Sequence, residues 1–269
     1  MLVNYLTVEQ VINPAAGMVS LAVLIFLSLS GYYYMRAAEK GRTFPVRRIR
    51  AFEAIEEAVA RSVEMGRPIH YTIGYGSIRT AHAPQYTAGL GVLTHVARLA
   101  GKYGARLIVT HGVPEAIASI EEIVRDGYFS EGRPELYNPV DNARYLTDVQ
   151  FAYASAAQAV ILRENAGANI VIGPFWAESL ILSEAGTMVG AFQIGGTARD
   201  VQIPFFVLVC DYAFIGEEIF AAGAMASGDA ATLASIRGQD VGKLLSIILI
   251  VLGLILLPLG VRLATYLLW

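Results

Sequence analysis

The residues best placed to do chemistry follow short apolar runs and sit among glycines. They are GYGS at 74–77, THG at 110–112, GPFWAE at 173–178, GGT at 195–197 and CD at 210–211. Each closes a stretch that reads as a strand. In open α/β sheets, ligands bind beyond the carboxyl ends of the strands. Ser77, His111, Glu178, Thr197 and Asp211 are therefore the candidate ligand-binding residues. Hydroxyls, an imidazole and two carboxylates meeting in one crevice can hold a small polar molecule by hydrogen bonds and charge. Glycines at these positions also make tight turns on their own account.

Several familiar chemistries are missing. GYGSIR has the first two glycines of a dinucleotide fingerprint but Arg79 at the third position, where close helix packing requires glycine. There is no Walker-type phosphate loop, no G-x-S-x-G elbow and no H-E-x-x-H zinc motif. Glu178 and Glu184 are six apart on one expected helix, about 600° of rotation, so they point in different directions. Glu217 and Glu218 are adjacent, so at most one faces a core. A buried acid needs a partner, for which Arg163 and Arg199 are candidates. His70, His82, His95 and His111 show no metal spacing, and His95 lies on an apolar helix. The single cysteine, Cys210, excludes an intrachain disulfide and a cysteine metal cluster. No metal, cofactor or reaction is assigned on these grounds, and the balance is against an enzyme.

The elements that must position these residues alternate. Phe52, Ile55, Val59 and Val63 recur at helical spacing, predicting a helix over 48–65 that Gly66 and Pro68 stop. Ile69, Tyr71 and Ile73 alternate with His70 and Thr72 as a strand. A very apolar helix follows over 87–103, then the short strand RLIVT at 106–110 and a helix from Pro114 to Gly127. Residues 128–145 read as irregular and 147–164 as an alanine-rich helix. The strand 169–172 leads to a helix through Glu184, and a further strand spans 188–194. IPFFVLVC at 203–210 is a continuous apolar run, as in a strand buried on both faces, and a helix follows over 214–227. The fold class is α/β, a mainly parallel, Rossmann-like sheet with flanking helices.

Of the 269 residues, 55% are hydrophobic and only 16% charged, against about 25% charged in a soluble domain. The deficit lies in two charge-free runs, Gln10 to Met35 and Leu244 to Val261. Each has the length to cross a hydrocarbon core of about 30 Å as a helix. The first has neither the basic start nor the short core of a cleavable signal. Tyr32 to Tyr34 and Tyr266 to Trp269 suit the headgroup level, Pro258 is tolerated in a span, and Arg262 can snorkel. The organisation expected is an anchor at 1–35, an α/β domain at 36–243 inserted between the spans, and a second span at 244–269. Arg36, Lys40, Arg42, Arg47, Arg48 and Arg50 follow the first run against one acid, Glu39, whereas Glu9 is the one charge before it. The positive-inside rule then places 36–243 in the cytoplasm and both termini outside the inner (plasma) membrane. From 51 to 243 there are 13 basic and 21 acidic residues, a net charge of −8 that opposes nucleic-acid binding.

Four blocks carry a resemblance: RRIRAFEAIEEAVARSVEMGRPIHYTIGYG (47–76), GPFWAESLILSEAG (173–186), QIGGTA (193–198) and PFFVLVCDYAFIGEEIFAAGA (204–224). Over about 47–240 the chain resembles an uncharacterised family of bacterial and archaeal two-span membrane proteins, a domain of unknown function. The resemblance implies the same tethered domain and supplies no activity and no functional residues. The small-residue helices QFAYASAAQAVIL and FAAGAMAS suit close packing within the core or between subunits. The function expected first is a self-assembling scaffold, a homo-oligomer anchored in the bilayer. The alternative is a tethered binding protein or enzyme that uses the strand-end crevice for a small molecule. A channel ranks third, since neither run carries an acid to mark an ion path.

Overall fold

In a computed structural model the described residues are 14–42 and 47–256. Glu9, Pro258, Arg262 and Tyr266 to Trp269 lie outside them. In chain order the principal elements are α1 (Pro14–Glu39), α2 (Arg50–Glu64), β1 (Ile69–Thr72), α3 (Ala83–Tyr103), β2 (Leu107–His111), α4 (Ile117–Ser130), β3 (Ala143–Tyr145), α5 (Gln150–Glu164), β4 (Ala168–Ile172), α6 (Glu178–Met188), β5 (Phe192–Thr197), α7 (Ile203–Val209), β6 (Tyr212–Ile215), α8 (Glu218–Ser227) and α9 (Ala230–Leu256). They form two compact units, with Arg47–Gly228 as one and α1 with α9 in the other.

In the helical unit α1 and α9 pair antiparallel, with a Cβ on Gly238 due to lie 2.9 Å from Cα of Gly31 and one on Gly242 3.1 Å from Leu27. Leu24, Leu29, Ile250 and Leu254 point outward, each more than half exposed. Both helices are long and apolar enough to cross a membrane. α9 also runs unbroken through Arg237, Asp240 and Lys243, where Asp240 accepts from Lys243 at 3.2 Å.

The Arg47–Gly228 unit is a six-stranded, wholly parallel sheet in the order β3-β2-β1-β4-β5-β6. This is the doubly wound order in which the chain reverses direction between its first and fourth strands. Ile55, Val59, Val92, Leu93 and Val96 of α2 and α3 are wholly buried. Each such side chain contributes about 1.5–3 kcal/mol. Tyr71 donates its hydroxyl to the Gly89 carbonyl at 2.6 Å, which ties β1 to α3 on that face. The opposite face is closed by a cluster of Tyr153, Ala157, Ile161, Val171, Phe175, Leu182, Ala185 and Phe206. α8 packs on α3 where Gly223 and Ala88 meet backbone to backbone.

Four expectations differ. Residues 203–209 are the helix α7, not a strand, and the edge strand on that side of the sheet is β6, where the sequence predicts a helix start. Pro204 suits the first turn of a helix, and Phe206 alone turns inward. Its ring fills the space over Gly195, where a Cβ would lie 2.3 Å from it. The strand expected at 188–194 starts later, at Phe192, and continues through Gly195, Gly196 and Thr197. A short strand, β3, also forms inside the stretch read as irregular.

Buried between the sheet and α5–α6 is a polar row. His70 Nδ1 lies 2.8 Å from Asn169 Oδ1 and His70 Nε2 lies 2.8 Å from Thr110 Oγ1. Asn169 Nδ2 donates to Gln193 Oε1 at 3.1 Å and to the Leu182 carbonyl at 3.0 Å. Gln193 Nε2 donates to Thr187 Oγ1 at 2.9 Å. Asn169→Leu removes the shared link and strands buried polar groups on both neighbours. We expect it to lower stability by about 2–4 kcal/mol, since an unsatisfied buried group costs about 1–3 kcal/mol. Thermal unfolding of the full chain in mild detergent measures this, and an unchanged midpoint contradicts it.

Candidate functional site

The loops after β1, β2, β4 and β5 carry side chains to the carboxyl edge of the sheet. The loop after β1 is folded by its own hydroxyls: Arg79 N donates to Ser77 Oγ at 3.1 Å and His82 N to Thr80 Oγ1 at 3.3 Å. Ser77 is half-buried and donates to Glu115 Oε1 at 3.4 Å, while Arg79 lies 3.6 Å from the same carboxylate. After β2, His111 Nδ1 donates to the Val113 carbonyl at 3.2 Å, and its ring tilts against Tyr145 at 5.7 Å. After β4, the wholly buried Glu178 accepts from Trp176 N at 3.1 Å and from Gln150 Nε2 at 2.5 Å. At the end of β5, the buried Thr197 donates to Gln85 Oε1 at 3.4 Å and accepts from Arg199 N at 3.2 Å.

Of the sequence candidates, Ser77, His111, Glu178 and Thr197 thus lie on this edge, each committed to a different neighbour. Asp211 does not join them. Because residues 203–209 are a helix, Asp211 precedes β6 instead of closing a strand. Its carboxylate accepts from Gln193 N at 2.7 Å, at the amino end of the sheet.

The crevice between β1 and β4, where doubly wound folds place dinucleotides, is filled by the protein itself. A Cβ on Gly76 would lie 2.1 Å from Pro174 Cγ, and one on Gly74 2.6 Å from the Pro174 carbonyl oxygen. Phe175 is wholly buried beside Phe206, with ring centroids 5.7 Å apart. The glycines of GYG therefore admit the Gly173–Pro174–Phe175 loop, not a pyrophosphate.

Around this plug lies a group that sequence analysis did not assemble. The Arg199 guanidinium carbon is 4.5 Å from the Trp176 ring centroid, and Arg199 Nη1 is 3.0 Å from His82 Nε2. The His82 and Trp176 rings meet edge to face at 5.1 Å. Gln85 accepts from Ala198 N at 3.2 Å and joins this loop to α3. These residues come from three separate loops, with no spacing signal to link them. Among the described residues no cluster of His, Cys, Asp or Glu is arranged to hold a metal ion. Burial pushes the Cys210 thiol up to about 12, so it is not a thiolate nucleophile at neutral pH.

The site and fold define a doubly wound α/β domain with a self-filled switch point, joined in one chain to a pair of apolar helices. The chain belongs to the DUF6754 family, a domain of unknown function, which it matches over residues 8–267. That match takes in both apolar helices as well as the sheet. No curated protein and no solved structure matches the chain.

Burial lowers His70 and His111 to about 4, far below an ordinary imidazole near 6.5. Both are therefore neutral at pH 7 in the folded chain. Below about pH 6.5 the unfolded chain takes up protons that the folded one refuses. Stability is thus full above that pH and falls until about pH 4, by on the order of 3 kcal/mol for each histidine. His111→Phe should make this loss distinctly smaller. Denaturant midpoints at pH 7 and pH 4.5 for both proteins decide it, and an equal drop in the two would refute the assignment.

Proposed function

We propose that this protein is a membrane-anchored scaffold that self-assembles through its α/β unit. The observation that carries this reading is the outer face of α6 and α7. Leu208 is 82% exposed and Met188 66%, with Leu180, Val201, Phe205 and Val207 also open to solvent. A groove of about 420 Å³ between the two helices is lined by Leu180, Glu184, Thr187, Leu208 and Val209. Exposed apolar side chains gathered along two neighbouring helices mark contact surfaces more often than the surface of an isolated monomer.

A second copy of the chain suits this face better than an anionic bilayer surface. Glu184 on α6 and Asp200 and Asp211 at the two ends of α7 are acidic, and a negatively charged membrane repels them. An apolar centre with a polar rim is the usual anatomy of a protein interface. β6, the edge strand, follows α7 directly and offers a second surface to a neighbouring copy.

α1 and α9 are the anchor. Their outward leucines and isoleucines are stable against lipid and costly against water. The six basic residues of 36–50 orient the chain with the α/β unit cytoplasmic and both termini outside. Two of them, Arg47 and Arg48, reach Glu218 at 2.7 Å and Glu53 at 2.6 Å.

The wild-type protein in mild detergent should run as a multimer by light scattering, and Leu208→Glu should shift it towards monomer. A monomeric wild type overturns the assembly, and an unchanged size in the variant overturns this interface. For the topology, a C-terminal alkaline phosphatase fusion should be active and a C-terminal GFP fusion dark. The reverse pattern overturns the orientation.

A further inference from the structure

Arg199 differs from the ion-paired arginines of the α/β unit. Arg144 and Arg106 each bond both Asp141 and Glu164, at 2.5–2.9 Å. Arg199 is buried to an intermediate degree as well. Among the described residues no carboxylate lies within ion-pair distance of its guanidinium, and its Nε is buried with no hydrogen-bond partner. Its neighbours are a π face, Trp176, and an imidazole nitrogen of His82. Withdrawing a guanidinium from water without an anion is costly. Stacking on an indole offsets only part of that cost.

The acids beside Trp176 and Arg199 in the chain are engaged by other groups. Glu178 has its two oxygens taken by Trp176 N and Gln150 Nε2, and Asp200 Oδ1 accepts from Val201 N at 2.9 Å. His82 is the residue before α3, a helix of 21 residues with no acid in its first turn. The positive end of that helix dipole therefore adds to the field of Arg199. His82, Trp176 and Arg199 are all partly open to solvent, so a small solute can reach them.

We propose that Arg199, His82 and Trp176 form a binding site for a phosphate-type oxyanion at the carboxyl edge of β5, beside the plugged switch point. The guanidinium supplies the charge and the donors not spent on His82, in the planar geometry that suits phosphate. Trp176 holds the guanidinium in place. His82 accepts from Nη1 in its neutral form, which fixes the fork's orientation. The phosphate belongs either to a free solute or to a lipid headgroup, and both are recognised by the same chemistry. This site is independent of the assembly interface and requires no oligomer.

Trp176 and Trp269 are the chain's two tryptophans, so Trp269→Phe leaves Trp176 as the sole indole reporter. Full-length protein in a non-ionic detergent is titrated with inorganic phosphate against chloride at equal ionic strength. A second arm places it in nanodiscs of phosphatidylcholine with and without phosphatidylglycerol. The expected result is a saturable change in Trp176 fluorescence with phosphate and none with chloride. A change seen with phosphatidylglycerol alone identifies the headgroup as the source and also supports the site. Arg199→Gln should weaken the response by about 10- to 100-fold, as loss of a charged hydrogen-bond partner does. Arg199→Lys, which keeps the charge, should retain part of it. The proposal is overturned if neither free phosphate in the millimolar range nor phosphatidylglycerol gives a saturable change. It is equally overturned if Arg199→Gln, with an unaltered melting temperature, titrates as the parent does.

Discussion

A row of hydrogen bonds buried against one face of the sheet is the constraint on which the α/β unit depends. β1, β2, β4 and β5 are covered on both sides, yet they carry His70, Thr110, Asn169 and Gln193 at or beside the same level. In a place without water each polar group must find a partner on the next strand. The register that pairs His70 with Asn169 and Asn169 with Gln193 satisfies this. A one-residue slip would turn every one of these side chains to the other face. The row therefore specifies strand order and register in a way that valines and isoleucines, which pack in many arrangements, do not. It also explains why both α5 and α6 sit where they do. Tyr153 of α5 reaches the hydroxyls of Thr72 and Thr110, and a carbonyl of α6 accepts from Asn169.

The same economy governs the carboxyl edge. A parallel sheet wound in two directions leaves a gap where the winding reverses, and most such folds leave it to a ligand. Here the gap is closed by Pro174 and Phe175, which the absence of side chains at Gly74 and Gly76 makes room for. Phe175 then joins the core that Tyr153, Leu182 and Phe206 complete. The consequence for function is a shift in place. At the rim of the plug stands Arg199, with no carboxylate within ion-pair distance among the described residues. The oxyanion site proposed above accordingly draws on a side-chain fork and a helix end.

On the same face of the sheet, beside α6, α7 makes a different compromise. One of its residues, Phe206, is wholly buried, and Val207 and Leu208 stand clear of the fold. An element that buries one side chain in seven gains little from its own domain. In the assembly proposed above, a second copy of the chain covers that outer face. Surfaces of this kind are common where subunits meet and rare on isolated monomers.

Much of this was legible in residue order alone. Alternating short apolar runs and amphipathic helices specify an α/β domain with a parallel sheet, because the side-chain periods of 2 and 3.6 are written directly into the chain. The apolar lengths of the two terminal helices and the placing of most glycine-rich loops after strands follow from the same local rules. The edge position of Ser77, His111, Glu178 and Thr197 follows too. What local rules could not decide was IPFFVLVC. Eight such residues in a row satisfy a doubly buried strand and a short helix equally, and the period is too brief to separate them. The choice was made by the space over Gly195, a hole shaped for one phenylalanine and set by three other elements. With that choice went Asp211, carried to the opposite edge of the sheet. The meeting of His82, Trp176 and Arg199, drawn from loops 94 and 23 residues apart, was likewise beyond the sequence, because only the crossover between β1 and β4 brings those loops together.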